Sequence, residues 1–251
     1  MPEFSSSGGV SIAYEVAGQG KPMLLVHGFA ATAEDNWRRT GWVQALTRAR
    51  RQAVTFDLRG HGGSGKLYDP ADYTTDKMAG DALALMDHLG IERASLMGYS
   101  MGAGIAMHLA AHHGERFGIV ILGGVGAKSL EPGSAIGGVA EALEAESAEG
   151  ISDPLARGFR LYAEGLGQDL RALAACARAP RLTDRGASLG LIRNEAMVIA
   201  GARDDLAGDP GPLAARMADA RAEIIPGTDH MFALANPMFK GAVMDFLAGI
   251  T

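Results

Sequence analysis

The chain has 251 residues, of which 47% are hydrophobic and 21% charged, and it carries a formal net charge of −6 at pH 7. That length is near the upper limit for one hydrophobic core, so a single domain with an inserted lobe is the default expectation. The charge is spread along the chain without a Lys/Arg cluster, which argues against a nucleic-acid partner, and no apolar run approaches the roughly 20 residues that a membrane span requires.

Residues Val10 to Ala17 alternate apolar and polar side chains as an edge strand would, and Gly18-Gln19-Gly20 turns the chain round. Pro22 to Val26 is short and wholly apolar, which predicts a central strand running into His27-Gly28-Phe29. A helix is predicted over Trp37 to Arg50, then a buried strand over Ala53 to Phe56 that ends in Asp57-Leu58-Arg59-Gly60-His61-Gly62-Gly63-Ser64. Met78, Ala82, Leu85, Met86 and Leu89 fall on one helical stripe, stopped by Gly90. Ile91 to Met97 is the next buried strand and Ala103 to His113 the next helix. Between them stands Gly98-Tyr99-Ser100-Met101-Gly102. A Gly-x-Ser-x-Gly turn between strand and helix has the pattern of a nucleophile elbow, which lifts a serine hydroxyl clear of the backbone. The ordinary alternative is a Gly-rich bend with a turn serine.

Phe117 to Leu122 predicts a further strand, after which the alternation stops. Ile136, Val139, Ala140 and Leu143 form one helical stripe, and Leu155, Phe159 and Tyr162 a second, entered by Asp153 as N-cap and Pro154. Leu170, Leu173 and Ala177 form a third, closed before Pro180. So long a stretch without strands reads as a small helical cap over residues 125–190, inserted into a core of residues 1–124 and 191–251. Glu195 to Ala200 resumes the strands and leads to Gly201-Ala202-Arg203-Asp204-Asp205. A helix near Pro212 to Ala220 and a strand over Glu223 to Pro226 precede Gly227-Thr228-Asp229-His230. Phe239, Val243, Phe246, Leu247 and Ile250 close the chain as an amphipathic helix. Strands separated by helices at this spacing imply a parallel sheet covered on both faces.

Five of these pieces, in this order, resemble the α/β-hydrolase superfamily: His27-Gly28-Phe29, the Asp57 to Ser64 turn, Gly98 to Gly102, Gly201 to Asp204, and Gly227 to His230. The resemblance implies an α/β-hydrolase fold with a mostly parallel eight-stranded sheet, helices on both faces and a small helical cap after the sixth strand. It also implies the order serine, acid, histidine, each after a strand C-terminus. Ala103 departs from the pattern, since many relatives carry a second glycine there.

A serine hydroxyl is a poor nucleophile at neutral pH and needs a base within hydrogen-bond reach. His230 fits, because imidazole takes and returns a proton near neutrality. Asp204 would hold the other ring nitrogen and stabilise the imidazolium. The resemblance places the oxyanion donors at the backbone N–H groups of Phe29 and Met101. Phe29, Met101, Met231 and Phe232 flank these positions, and with the stripe bearing Phe159 and Tyr162 they suit an apolar acyl pocket.

Other titratable residues receive structural readings. His27 and His61 lie in loops that the resemblance makes structural, and Asp57 is left non-catalytic for the same reason. Cys176 is a small apolar residue of the cap, and Glu141, Glu144, Glu146 and Glu149 form a solvated face. The helical histidines share no credible ligand set, so neither a metal nor an organic cofactor is expected. The first nine residues have no basic start and no apolar stretch, so no secretory signal is expected, and a single cysteine suits a reducing cytoplasm.

The expected activity is cleavage of carboxylic esters with small to medium uncharged acyl groups through an acyl-enzyme, by a monomer or homodimer acting on a small molecule. Enol-lactonase, thioesterase, carbon–carbon bond hydrolase and cofactor-free perhydrolase chemistry use the same triad and stay open. A ligand-sensing protein that keeps the fold without turnover is the non-enzymatic alternative.

Overall fold

In the computed structural model, residues 1–6, 8–131, 137–180 and 188–250 are described. The strands are β1 (Glu3–Ser5), β2 (Ser11–Ala17), β3 (Lys21–Val26), β4 (Arg51–Phe56), β5 (Ala94–Tyr99), β6 (Phe117–Gly123), β7 (Ala196–Gly201) and β8 (Ala220–Ile225). They form one sheet in the order β1-β2-β4-β3-β5-β6-β7-β8. The pairs from β4 through β8 are parallel, whereas β2 runs antiparallel to both β1 and β4. This is the α/β-hydrolase fold, a mostly parallel sheet with helices on both faces.

Alternation along the strands sorts the core into two layers. Leu24, Val26, Val54, Phe56, Leu96, Val120, Leu122 and Val198 face one side. There they pack against α2 (Thr75–His88) and α3 (Met101–His112). Met23, Leu25, Ala53, Met97, Tyr99, Ile121, Met197 and Ile199 face the other side. Here the cover is α1 (Trp42–Arg48) and the C-terminal helix Pro237–Ala248. Trp42 locks that second layer, since its ring meets Phe239 edge-on at 6.2 Å and its Nε1 donates to the Leu234 carbonyl at 3.0 Å.

Between β6 and β7 lie α4 (Val139–Glu144), α5 (Pro154–Gly165) and α6 (Leu170–Arg178). The Asp153 side chain caps α5 by accepting from the Ala156 N–H at 2.7 Å, with Pro154 in the first turn, and Asp169 caps α6 in the same way. Their apolar faces meet one another and the loops above the sheet in a third cluster that includes Phe29, Tyr73, Phe159 and Cys176. Ile136, assigned to the first stripe, lies outside the described residues. The buried Arg160 is spent inside this segment, donating to the carbonyls of Ala142 and Ala145 and pairing with Glu164 at 2.7 Å.

Several expectations need correction. The edge of the sheet is β1, not β2. A three-residue strand is too short to show periodicity, and long-range contacts hold it: Phe4 stacks on His88 at 5.1 Å, and the Ser6 hydroxyl donates to buried Asp81. The helix predicted over Trp37 to Arg50 is broken, because Gly41 takes φ +82°, separating a π-helical turn (Glu34–Arg38) from α1. Near residue 212 only one turn is helical, α7 (Gly211–Ala214), and Ala220 already belongs to β8. The helix Pro237–Ala248, hereafter α8, begins two residues earlier than its apolar stripe, where the Asn236 side chain accepts from the Met238 N–H. Among the described residues no helix is long and apolar enough to cross a membrane.

Candidate active site

Close packing explains the shape of the turn after β5. A Cβ on Gly98 would lie 2.1 Å from the Gly102 carbonyl oxygen, and one on Gly102 would lie 2.1 Å from the Val26 carbonyl oxygen. Only glycine allows β5, α3 and β3 to approach so closely. Ser100 between them takes φ +54° and ψ −115°, a sparsely populated conformation for a side-chain-bearing residue. Its N–H donates to the Gly123 carbonyl at 2.8 Å, so β6 holds the strained residue in place.

The loops after β7 and β8 bring two further groups to this turn. The Ser100 hydroxyl lies 2.9 Å from His230 Nε2, and His230 Nδ1 lies 2.9 Å from each carboxylate oxygen of Asp204. An ionised carboxylate can only accept, so Nδ1 carries the proton and Nε2 is left to accept from the serine. Asp204 also accepts from the Leu206 and Ala207 N–H groups at 3.2 and 2.9 Å, which sets its side chain toward the ring. The two loops are laced together, since Arg203 N–H donates to the Thr228 carbonyl at 3.0 Å and a Cβ on Gly201 would sit 2.3 Å from that same oxygen. The Tyr99 ring centroid lies 5.3 Å from that of His230, and its hydroxyl donates to the His230 carbonyl.

Asp205 is exposed, and the turn beyond it is capped by Asp204 rather than by Asp205. Asp57, the other acid at a strand end, is occupied elsewhere. Its two carboxylate oxygens accept from the Ala33 and Gly63 N–H groups, each at 2.8 Å.

The Phe29 N–H is aimed by its neighbours. His27 Nε2 accepts from the Leu58 N–H at 2.9 Å, so Nδ1 bears hydrogen and donates to the Gly28 carbonyl at 2.8 Å. In a trans peptide the N–H points opposite to the C=O, so this bond turns the Phe29 N–H away from His27. The Asn36 side chain holds the preceding amide, accepting from Gly28 N–H at 2.9 Å, and a Cβ on Gly28 would lie 3.5 Å from the Ser100 Cβ. Ala30 then takes φ +60°. The Met101 N–H, at the first position of α3, directly follows Ser100.

The apolar candidates separate. Phe159 meets Phe29 edge-on at 5.7 Å, and Met101 packs against the same cluster, its sulfur 3.9 Å from that of Cys176. Tyr162 packs at the margin of the cluster and donates its hydroxyl to Asp35. Met231 is not brought into the cluster. It is 53% exposed, and Phe232 is 69% exposed. Both follow His230 in a turn capped by the Asp229 side chain, which accepts from their N–H groups at 3.1 Å, and this sets them on the surface. Asn36 and Gln168, buried polar residues of this region, were missed by sequence reasoning. A lone amide has no periodicity or motif to mark it.

Two imidazoles below the site give the protein a pH dependence of its own. Burial pushes the His27 pKa down against the pull of Asp57, and burial together with the neighbouring His27 brings His61 down to about 3. In the unfolded chain both return to roughly 6.5. Between the two values the unfolded state binds more protons than the folded one, so stability is lost as pH falls below about 6.5. For His61 the loss reaches about 2 kcal/mol at pH 5. The melting temperature should therefore drop between pH 7 and pH 5; a flat profile would mean that the buried rings tolerate protonation.

A serine, an imidazole and a buried carboxylate in hydrogen-bonded series, at the C-terminal edge of an open parallel sheet, define the class of hydrolases built on this architecture. The alpha/beta hydrolase fold family model matches residues 21–198, and the chain belongs to that family. It is similar to a hydrolase from Pseudomonas aeruginosa PA01 (TM-score 0.78, 28% identity, 98% of this chain and 97% of that one). It is also similar to the enol-lactonase from Burkholderia xenovorans LB400 (TM-score 0.81, 26% identity, 98% and 100% covered). Among curated proteins, 2-hydroxymuconate semialdehyde hydrolase from Pseudomonas sp. (strain CF600) is 37% identical over 113 residues, 44% of this chain and 38% of that protein. The alignments with its curated relatives span less than half of those proteins' own length.

Proposed function

We propose that the protein is a serine hydrolase that cleaves carboxylic esters of small to medium uncharged acyl groups. The observation that carries this reading is the unbroken series from Ser100 Oγ through His230 to Asp204, each step 2.9 Å. As His230 Nε2 takes the serine proton, Oγ adds to the ester carbonyl and the C=O π pair moves to oxygen. The Phe29 and Met101 N–H groups receive that oxyanion, and Asp204 balances the imidazolium charge. Collapse breaks the carbonyl–alkoxy bond, His230 returns the proton to the leaving alcohol, and the acyl group stays on Ser100. Water, deprotonated by the same imidazole, then releases the acid and regenerates the serine. No cofactor or metal enters this sequence.

The helices of residues 125–190 act in this reading as a cap over the acyl site, with Phe159, Phe29 and Met101 lining it and Tyr162 at its margin. Met231 contributes at the rim. Arg160 is already satisfied by carbonyls and Glu164, so it offers no counter-ion to an anionic acyl group. A panel of esters, thioesters and lactones of graded acyl length tests the assignment. Each added methylene is worth about 0.8 kcal/mol until the pocket is full, so a several-fold gain per carbon is expected over short uncharged chains. A marked preference for anionic acyl groups would overturn the substrate class.

Enol-lactone opening is the second reading, supported by the similarity to an enol-lactonase along nearly the whole chain. A lactone is an internal ester, so the same attack applies and the leaving oxygen stays tethered. Faster turnover of lactones than of open-chain esters in that panel would favour it.

A further inference from the structure

Gln168 stands between two fixed points of the helical segment. Its own N–H donates to the Ala163 carbonyl at 3.0 Å at the end of α5, just after Gly167 with φ +63°, and the next residue, Asp169, caps α6. Its side chain leaves that segment and enters the loops above the sheet. Nε2 donates to the carbonyls of Ala30 and Ala31 at 3.2 and 3.0 Å, and Oε1 accepts from the Gly62 N–H at 2.9 Å. Both amide hydrogens and the amide oxygen are thus used, on a side chain that is buried.

The two carbonyls belong to the residues directly after Phe29, and the first of them, Ala30, is in the left-handed region at φ +60°. That conformation is uphill for alanine and persists only where the surroundings hold it. His27 and Asn36 restrain the Gly28 side of the Phe29 amide. Gln168 restrains the other side, and without it two buried carbonyls would lose their donors, which a loop relieves by shifting. The Gly62 turn, its third partner, follows His61, whose ring meets Phe29 edge-on at 5.9 Å.

We infer that Gln168 is a positioning residue of the oxyanion loop, coupling the seating of the helical segment to the aim of the Phe29 N–H. This rests on the reading of Ser100 as nucleophile and Phe29 N–H as oxyanion donor. A helical segment that carries the clamp completes the donor pair only when α5 and α6 are seated. Loss of the clamp therefore weakens stabilisation of the transition state more than binding of the neutral substrate.

Wild type, Gln168→Leu and Gln168→Glu are compared for ester kcat and KM, for the rate of fluorophosphonate labelling, and for melting temperature. Removing one oxyanion donor outright costs roughly 10²–10³ in kcat, so a misaimed one should cost about ten- to a hundredfold. In Gln168→Leu, kcat and labelling should fall together by that factor with KM within about twofold. Gln168→Glu keeps the acceptor for Gly62 and loses the donors when ionised. Burial raises its pKa, so its activity relative to wild type at the same pH should recover as pH falls and the protonated acid donates again. The leucine variant should show no such recovery. A lowered melting temperature with unchanged kcat and labelling in either variant would overturn the inference, as would a rise in KM alone. A wild-type protein that neither turns over esters nor labels would instead overturn the nucleophile assignment, and this inference with it.

Discussion

Replacing Ser100 with alanine should remove essentially all ester turnover and all labelling by a fluorophosphonate, while the protein stays folded. Members of such a hydrogen-bonded series act as a unit, and losses of roughly 10⁴ to 10⁶ in turnover are typical. The fold should survive because, among the described residues, the hydroxyl bonds only to His230 and takes no part in the packing of Gly98, Gly102 and β3. Alanine and serine are equally strained at φ +54°, so the backbone cost is unchanged. Kinetics and a melting curve on one preparation separate the two effects. A folded Ser100→Ala protein with near-wild-type hydrolysis would move the nucleophile elsewhere.

The parts of the molecule legible in the sequence are those with local physical signatures. Apolar runs of strand length, stripes at helical spacing, and N-caps such as Asp153 before Pro154 each declare an element from a few neighbouring residues. Gly98 and Gly102 are legible for a related reason, because the turn between β5 and α3 tolerates nothing larger. What the sequence does not display depends on partners far along the chain. β1 exists through Phe4 on His88 and Ser6 on Asp81, contacts more than seventy residues apart. The break at Gly41 reflects a choice between continuing and ending a helix that the surroundings decide.

The same distinction runs through the site. Ser100, Asp204 and His230 each follow a strand within a recognisable turn. Asn36 and Gln168 carry no motif, and their importance lies in which carbonyls and amides they reach. Met231 shows what adjacency in sequence leaves open. Its place beside His230 in sequence suggested the acyl pocket, but the Asp229-capped turn sets it on the surface.

Asp204 and Asp205 are adjacent, and asparagine substitution at each should give very different results. In Asp204→Asn, the turn formed by Leu206 and Ala207 still requires an acceptor, so the amide oxygen should remain where Oδ1 now accepts from both N–H groups. The amide NH₂ then takes the place of Oδ2, 2.9 Å from His230 Nδ1, where a donor now meets a donor. The ring relieves the clash by moving its proton to Nε2, and that nitrogen can no longer accept from Ser100. The imidazolium also loses its counter-charge. In the comparable serine-protease case such a change costs about 10⁴ in turnover, and a similar loss is expected here. Asp205 is exposed and contributes to neither the turn nor the ring, so Asp205→Asn should cost less than about tenfold. Both variants measured on one ester decide the acid. If Asp205→Asn is the crippled one, the loop after β7 places its acid one residue later than the geometry of Asp204 implies. If both retain activity, the carboxylate that serves His230 lies outside this loop.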